Sequence, residues 1–183
     1  MTPERAPKHR GEVVLRAATA KDAEAGADLQ RICWHEAYTG HTDPKILAAR
    51  LADRDRWVEA WRTQLASGPP RVVAEEDGVL IGFAVAGPTR DKDAPVPEEL
   101  YALYTREAWW GSGLGDRLLR AVLPRERAAS LWVLSTNERA RRFYARHGFH
   151  PDGAHHRYAG LDVEEIRLVR AGVTADGRTV RPS

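Results

Sequence analysis

The 183-residue sequence predicts an α/β (α+β) fold, a single domain with a mixed central sheet and helices on both faces. Three observations lead there. Apolar runs of strand composition alternate with segments of helical periodicity, in the order strand, helices, two strands, strand–helix twice, strand. Near the middle of the chain a glycine-rich stretch joins a strand directly to an amphipathic helix. Length and composition, with 43% hydrophobic and 30% charged residues, suit a globular domain with a full core.

Taken in order, residues 1–10 are polar and Pro-containing and read as a disordered leader, so the domain is expected over 11–170. Residues 12–16 form a first strand. Thr19 and Asp22 fit a capping box, which starts a helix over 21–38 that stops near Gly40. Asp43-Pro44 is a second start signal, with Asp as cap and Pro in the first turn, and places helices over 44–51 and 54–67. Strands over 71–75 and 79–86 meet at Asp77-Gly78, a dipeptide that favours a tight hairpin. Residues 88–97 hold three prolines and four charges and form a loop. A strand over 100–104, a glycine turn and a helix follow, then a strand over 131–134, a helix over 137–147, an extended segment from Phe149 and a last strand over 165–170. Residues 171–183 are a polar tail.

Several function classes are excluded by composition. The net charge of +2 leaves no cationic surplus for nucleic acid. Cys33 is the only cysteine, so there is no internal disulfide and no cysteine-based metal cluster. The first ten residues lack the apolar core of a signal peptide, and no apolar run reaches the length of a membrane span. The expectation is a cytoplasmic protein without a metal or a membrane partner.

The central stretch carries chemistry. Gly111, Gly113 and Gly115 alternate, and Leu114, Leu118, Leu119 and Val122 then recur at helical spacing. Glycines at a helix start let backbone approach a ligand, and the first turn leaves N–H groups unpaired at the positive end of the dipole. Such a start holds phosphate oxygens. The spacing is not that of a dinucleotide-binding turn, whose third glycine would fall at Asp116, nor of a P-loop, since no Gly-Lys-Ser/Thr follows. Trp110-Gly111-Ser112-Gly113-Leu114-Gly115 instead resembles the pyrophosphate loop of the GNAT acetyltransferase superfamily, Gln/Arg-x-x-Gly-x-Gly/Ala, with Trp110 standing where Gln or Arg is usual. A second stretch is similar to the superfamily signature Asn-x-x-Ala-x-x-Phe-Tyr-x-x-x-Gly-Phe, matched by Asn137, Ala140, Phe143, Tyr144, Gly148 and Phe149.

The resemblance implies that the parallel strands containing 100–104 and 131–134 splay apart. Acetyl-CoA would lie in the gap, its pantetheine arm on the backbone of Leu103, Tyr104 and Thr105. Its pyrophosphate would lie on the loop Trp110, Gly111, Ser112, Gly113, Leu114, Gly115 and Asp116, with Asn137 and Tyr144 also at the cofactor. Family analogy implies Tyr144 as proton donor to the leaving thiolate and a backbone N–H of Leu103 or Tyr104 for the carbonyl oxygen. Glu99, at the start of the central strand, is the first choice as general base, its alternative being a solvated strand-end carboxylate. His41 and His35 are further options. Trp34 and Tyr38 lie one helical turn apart and, with His41 and Glu99, are candidates for holding an amine, or are simply a core face.

The reaction implied is transfer of an acetyl group from acetyl-CoA to a primary amine, with a small molecule as acceptor. A protein or peptide acceptor, a non-catalytic acetyl-CoA-binding module and a nucleotide-binding protein of another fold remain alternatives. Members of the superfamily often form dimers, so a homodimer is a further arrangement that the resemblance allows.

Overall fold

A computed structural model of the protein describes residues 11–173, 179 and 180, so the proposed leader lies outside the described residues. Strand β1 (Val13–Ala17) leads through a 3-10 turn (Ala20–Asp22) into α1 (Ala23–Tyr38), followed by α2 (Pro44–Ala52) and α3 (Arg54–Ser67). The middle of the chain holds β2 (Arg71–Glu76), β3 (Val79–Pro88) and β4 (Glu98–Thr105). Next come α4 (Leu114–Val122), β5 (Ala129–Leu134), α5 (Glu138–Arg146), β6 (His150–Tyr158) and β7 (Val163–Arg170). The sheet order is β1-β2-β3-β4-β5-β7-β6. All neighbours are antiparallel except β4 and β5, which are parallel.

The start signals act as their chemistry requires. The Asp22 carboxylate accepts from the Thr19 N–H at 2.7 Å, and Asp43 and Asp53 cap α2 and α3 by accepting from Lys45 N and Arg56 N. Asp77 and Gly78 both have positive φ, which matches the turn twist to the strands of the β2–β3 hairpin. Helices α1 to α3 cover one sheet face, where Leu29, Trp61, Val73 and Phe83 pack together. Helices α4 and α5 cover the other, over Ala74, Ile81, Ala84, Leu131 and Leu168.

Two expectations need correction. The extended segment after Phe149 is a full strand, β6, which pairs with β7 as a hairpin at the sheet edge. Its residues are largely exposed, so it lacks the apolar alternation that marks a strand in sequence. The tail contains a short ladder, Gly172–Val173 (β8) against Thr179–Val180 (β9), while its other positions from 174 onward lie outside the described residues.

The ladder between β4 and β5 is short. Only Glu98 with Ala129 and Glu99 with Ser130 are in register, and beyond them the two strands separate. Tyr101 is an extra residue in β4, because Leu100 opposes Ala86 and Ala102 opposes Val85. A bulge of this kind bends its strand, here at the point of separation.

Arg16 ties β1 to the first helix and to β2, reaching Asp22 at 2.8 Å and Glu75 at 2.6 Å. The Arg16 guanidinium holds the Asp22 carboxyl down at about 2, against an ordinary value of 3.8. Because the folded value is depressed, this stability is present above pH 3.8 and lost as pH falls through about 2. Replacing Asp22 with Asn is therefore expected to cost about 2 kcal/mol at pH 7. In urea denaturation followed against pH, the difference from wild type should shrink as pH falls from 4 toward 2.

Candidate active site

A cavity of about 470 Å³ opens where β4 and β5 part and runs from the glycine loop to the β7 edge. Its walls come from β4, the glycine loop, α5, the end of β5, and Tyr38 and Glu165 from outside those elements. Backbone parity decides which groups of β4 face it. The Arg106 N–H donates to Ile81 O at 3.0 Å, so in the antiparallel ladder Tyr104 bonds to Phe83, and Leu103 and Thr105 turn their N–H and C=O away from β3. The expected use of Tyr104 backbone is thereby corrected, since its groups are consumed by β3. Thr105 O accepts from Trp110 Nε1 at 3.2 Å. Leu103 therefore offers both its backbone groups to the gap, and Thr105 its N–H.

The glycine loop has the geometry its sequence suggested. Gly111 and Gly113 have φ of +78° and +86°, where an L side chain is strained, and the space beside both is open. Gly113 is the N-cap of α4, and the N–H groups of Gly115 and Asp116 belong to the first turn, which has no intrahelical acceptors for them. Ser112 Oγ accepts from Leu114 N at 3.3 Å. A Cβ on Gly115 would lie 3.2 Å from the Phe143 ring, so this glycine lets α4 and α5 approach. Asp116 turns its carboxylate to His147 Nε2 at 2.5 Å. Burial holds the His147 imidazole below its usual value, with Asp116 opposing.

Trp110, the departure from the superfamily pattern, has a use here. Its ring lies 3.5 Å from the Arg139 guanidinium, so a cation reaches the loop from α5. Arg139, Arg142 and Arg146 all line the cavity. Open amides with three guanidinium groups fit a pyrophosphate and its neighbouring phosphate. The arginines were missed in sequence because their spacing on α5 reads as a solvated face.

Asn137 lines the cavity and caps α5, accepting from Ala140 N at 3.0 Å. Tyr144 lines it too, and burial pushes its hydroxyl well above the usual phenol value. Tyr38 and Tyr104 share a hydroxyl–hydroxyl bond of 2.6 Å, and burial raises both.

The remaining acceptor-side expectations are not met. Glu99 is only 2% exposed and does not line the cavity. It sits where β4 still pairs with β5 and faces the preceding loop, accepting from Arg90 N at 2.9 Å and from Arg90 Nε at 3.2 Å, with a further short contact to the guanidinium. Trp34 is buried in the core, edge-on to Tyr38 at 5.1 Å and Trp57 at 4.9 Å. His41 Nδ1 pairs with Thr136 Oγ1 at 2.9 Å and is outside the cavity wall. The carboxylate of β7 that does line the cavity is Glu165, 3.2 Å from His156 Nε2. Its signal in sequence was faint: Val163, Glu165 and Arg167 alternate on one face of a strand whose other face carries Ile166 and Leu168.

Residues 24–149 match the Acetyltransferase (GNAT) family, a span that contains both the glycine loop and Tyr144. The chain belongs to this family. It is 30% identical over 160 residues to a mycothiol acetyltransferase of Acidimicrobium ferrooxidans, an alignment that covers 85% of this chain and 45% of that protein. The chain thus spans less than half the length of this relative. The solved PaiA N-acetyltransferase of Thermoplasma acidophilum, in complex with coenzyme A, superposes with a TM-score of 0.63 at 17% identity, over 87% of this chain and 98% of its own. YncA of Salmonella typhimurium, solved with its cofactor acetyl-CoA, gives 0.61 at 20% identity, over 86% and 92%. These two likenesses show that the GNAT chain shares their fold. No helix among the described residues is long and apolar enough to cross a membrane, and no group of three or more His, Cys, Asp or Glu among them could hold a metal ion.

Replacing Gly115 with Val is expected to push the Phe143 ring aside and to destabilise the domain by about 1–3 kcal/mol. Urea unfolding of the variant checks this.

Proposed function

We propose that this GNAT protein transfers an acetyl group from acetyl-CoA to the primary amine of a small molecule. One observation carries the reading: β4 and β5 separate after two residue pairs, and the gap holds Leu103 backbone, an open glycine loop and the Tyr144 hydroxyl. When bound, acetyl-CoA supplies an activated thioester. The amides of Gly113, Gly115 and Asp116, with Arg139, Arg142 and Arg146, would hold its phosphates. Leu103 C=O and N–H would orient the amide-bearing arm or meet the carbonyl oxygen as it gains charge, a task for which a fixed N–H in a dry site is well suited.

Tyr144 would give its proton to the departing sulfur. Burial favours the protonated phenol, so the donor is loaded at neutral pH, and no hydrogen bond among the described residues holds its hydroxyl elsewhere. The acceptor end supports a small amine over a protein tail. Tyr38, Tyr101, Tyr104 and Trp132 wall it, and aromatic faces around one carboxylate suit an ammonium group with an apolar body.

Titration calorimetry with acetyl-CoA tests the reading. Saturable binding is expected, and no heat at millimolar ligand would overturn it. Replacing Gly113 with Glu should weaken that binding by at least about a hundredfold, because a side chain at positive φ is strained and a carboxylate opposes phosphate. Replacing Tyr144 with Phe should lower turnover by at least about tenfold and leave acetyl-CoA affinity nearly unchanged. Thiol release measured against a set of primary amines reads the rate, and an unaltered rate in the Phe variant removes Tyr144 from this role.

A further inference from the structure

We infer that Glu165 is the base that takes a proton from the acceptor's ammonium group, and that His156 is the positioning residue that holds its carboxylate. The inference rests on the acetyl-transfer reading above.

Two carboxylates line the cavity among the described residues, Asp116 and Glu165. Asp116 stands at the cofactor end and is committed to His147 at 2.5 Å. Glu165 stands at the acceptor end with its side chain only 16% exposed, and His156 Nε2 lies 3.2 Å from its Oε2. His156 is 43% exposed, so the pair connects the cavity to water. The imidazole is itself held in place: the Trp132 ring lies 4.1 Å from it, and Trp132 Nε1 donates to Asp91 Oδ2 at 2.7 Å. Arg167 on β7 braces this region further, reaching Asp93 on the loop before β4 at 3.2 Å and Asp152 on β6 at 2.7 Å. The base is thus mounted on a braced edge of the sheet.

The groups facing Glu165 are His156 on β6, Arg90 on the loop before β4, and the hydroxyls of Tyr38 on α1 and Tyr104 on β4. Burial pushes the Glu165 carboxyl above its usual range, while the positive charges of His156 and Arg90 pull it back. Tyr38, Tyr104, Tyr144 and Glu165 line the same cavity, and the Tyr38 and Tyr104 hydroxyls share a bond of 2.6 Å.

The protons balance. One ammonium proton passes to Glu165 and from it to solvent, leaving a neutral amine whose lone pair forms the C–N bond as the C–S bond breaks. Tyr144 protonates the departing sulfur, and the second proton lost by nitrogen restores Tyr144. The net release is one proton.

Two arms test this. In the first, the protein is labelled with 13C at the Glu side-chain carboxyl and titrated by NMR, with Glu165→Gln assigning the signal; no acceptor is needed. The Glu165 signal should titrate above the ordinary carboxylate range and move higher in His156→Gln, by about half to one pH unit, because a cation has been removed. An ordinary titration that His156→Gln leaves in place overturns the assignment.

The second arm measures thiol release with a pool of phenethylamine, tyramine, histamine, spermidine and glucosamine. Glu165→Gln should lower the rate by about a hundredfold or more while leaving the acetyl-CoA dissociation constant within about twofold. His156→Gln should shift the acid limb of the rate profile upward, which a merely structural role would not do. A rate within threefold of wild type in Glu165→Gln, with acetyl-CoA binding intact, overturns the assignment alone. Absence of acetyl-CoA binding by the wild type overturns the transfer reading as well.

Discussion

Two residue pairs, Glu98 with Ala129 and Glu99 with Ser130, make up the whole ladder between β4 and β5. Past them the N–H and C=O of Leu103 and the N–H of Thr105 face a gap in which the sheet supplies no partner. Backbone polar groups left dry and unpaired cost about 1–3 kcal/mol each, so a gap of this kind is stable only when wet or filled by a ligand with matching amides. The Tyr101 bulge bends β4 where the strands part, and β7 takes up the far side of β5 so that the sheet continues beyond the opening. Helices α4 and α5 form the two lips, kept close by Gly115 against Phe143.

The chemistry of the site depends on the same opening. It allows one end of the cavity to be cationic and the other aromatic and weakly acidic, with buried phenols between them. Arg139, Arg142 and Arg146 sit at the loop end. Tyr38, Tyr104 and Tyr144 are all held protonated by burial, so at neutral pH they are donors and not charges.

The features legible in the chain are those that are local in physics. The Asp77-Gly78 turn, the caps at Asp43 and Asn137 and the glycine loop all report backbone conformations set by a few adjacent residues. The two superfamily motifs are of the same kind. Strand β6 escaped notice because an edge strand with both faces near solvent has no apolar period to read. Glu99 and Glu165 show the other limit. Both are strand carboxylates with an acidic neighbour, and nothing adjacent in sequence reveals that Arg90 claims the first while β7 delivers the second to the cavity. Trp110 is similar: its partner Arg139 is distant in sequence, so a position that looked like a lost polar contact proves to support a cation.

By itself, then, the sequence determined the fold class, the family and the glycine turn into a helix, because each rests on spacing within one strand–turn–helix unit. Only the tertiary structure decided which backbone groups of β4 are free, which carboxylates line the cavity, and which aromatic residues are wall and which are core. Trp34 is packed in the core and Tyr38 reaches the cavity, though both lie on α1 one turn apart. The reason is that hydrogen-bond parity, ion pairing and burial are set by residues far apart in the chain, and those meetings exist only once the sheet has closed around its one opened seam.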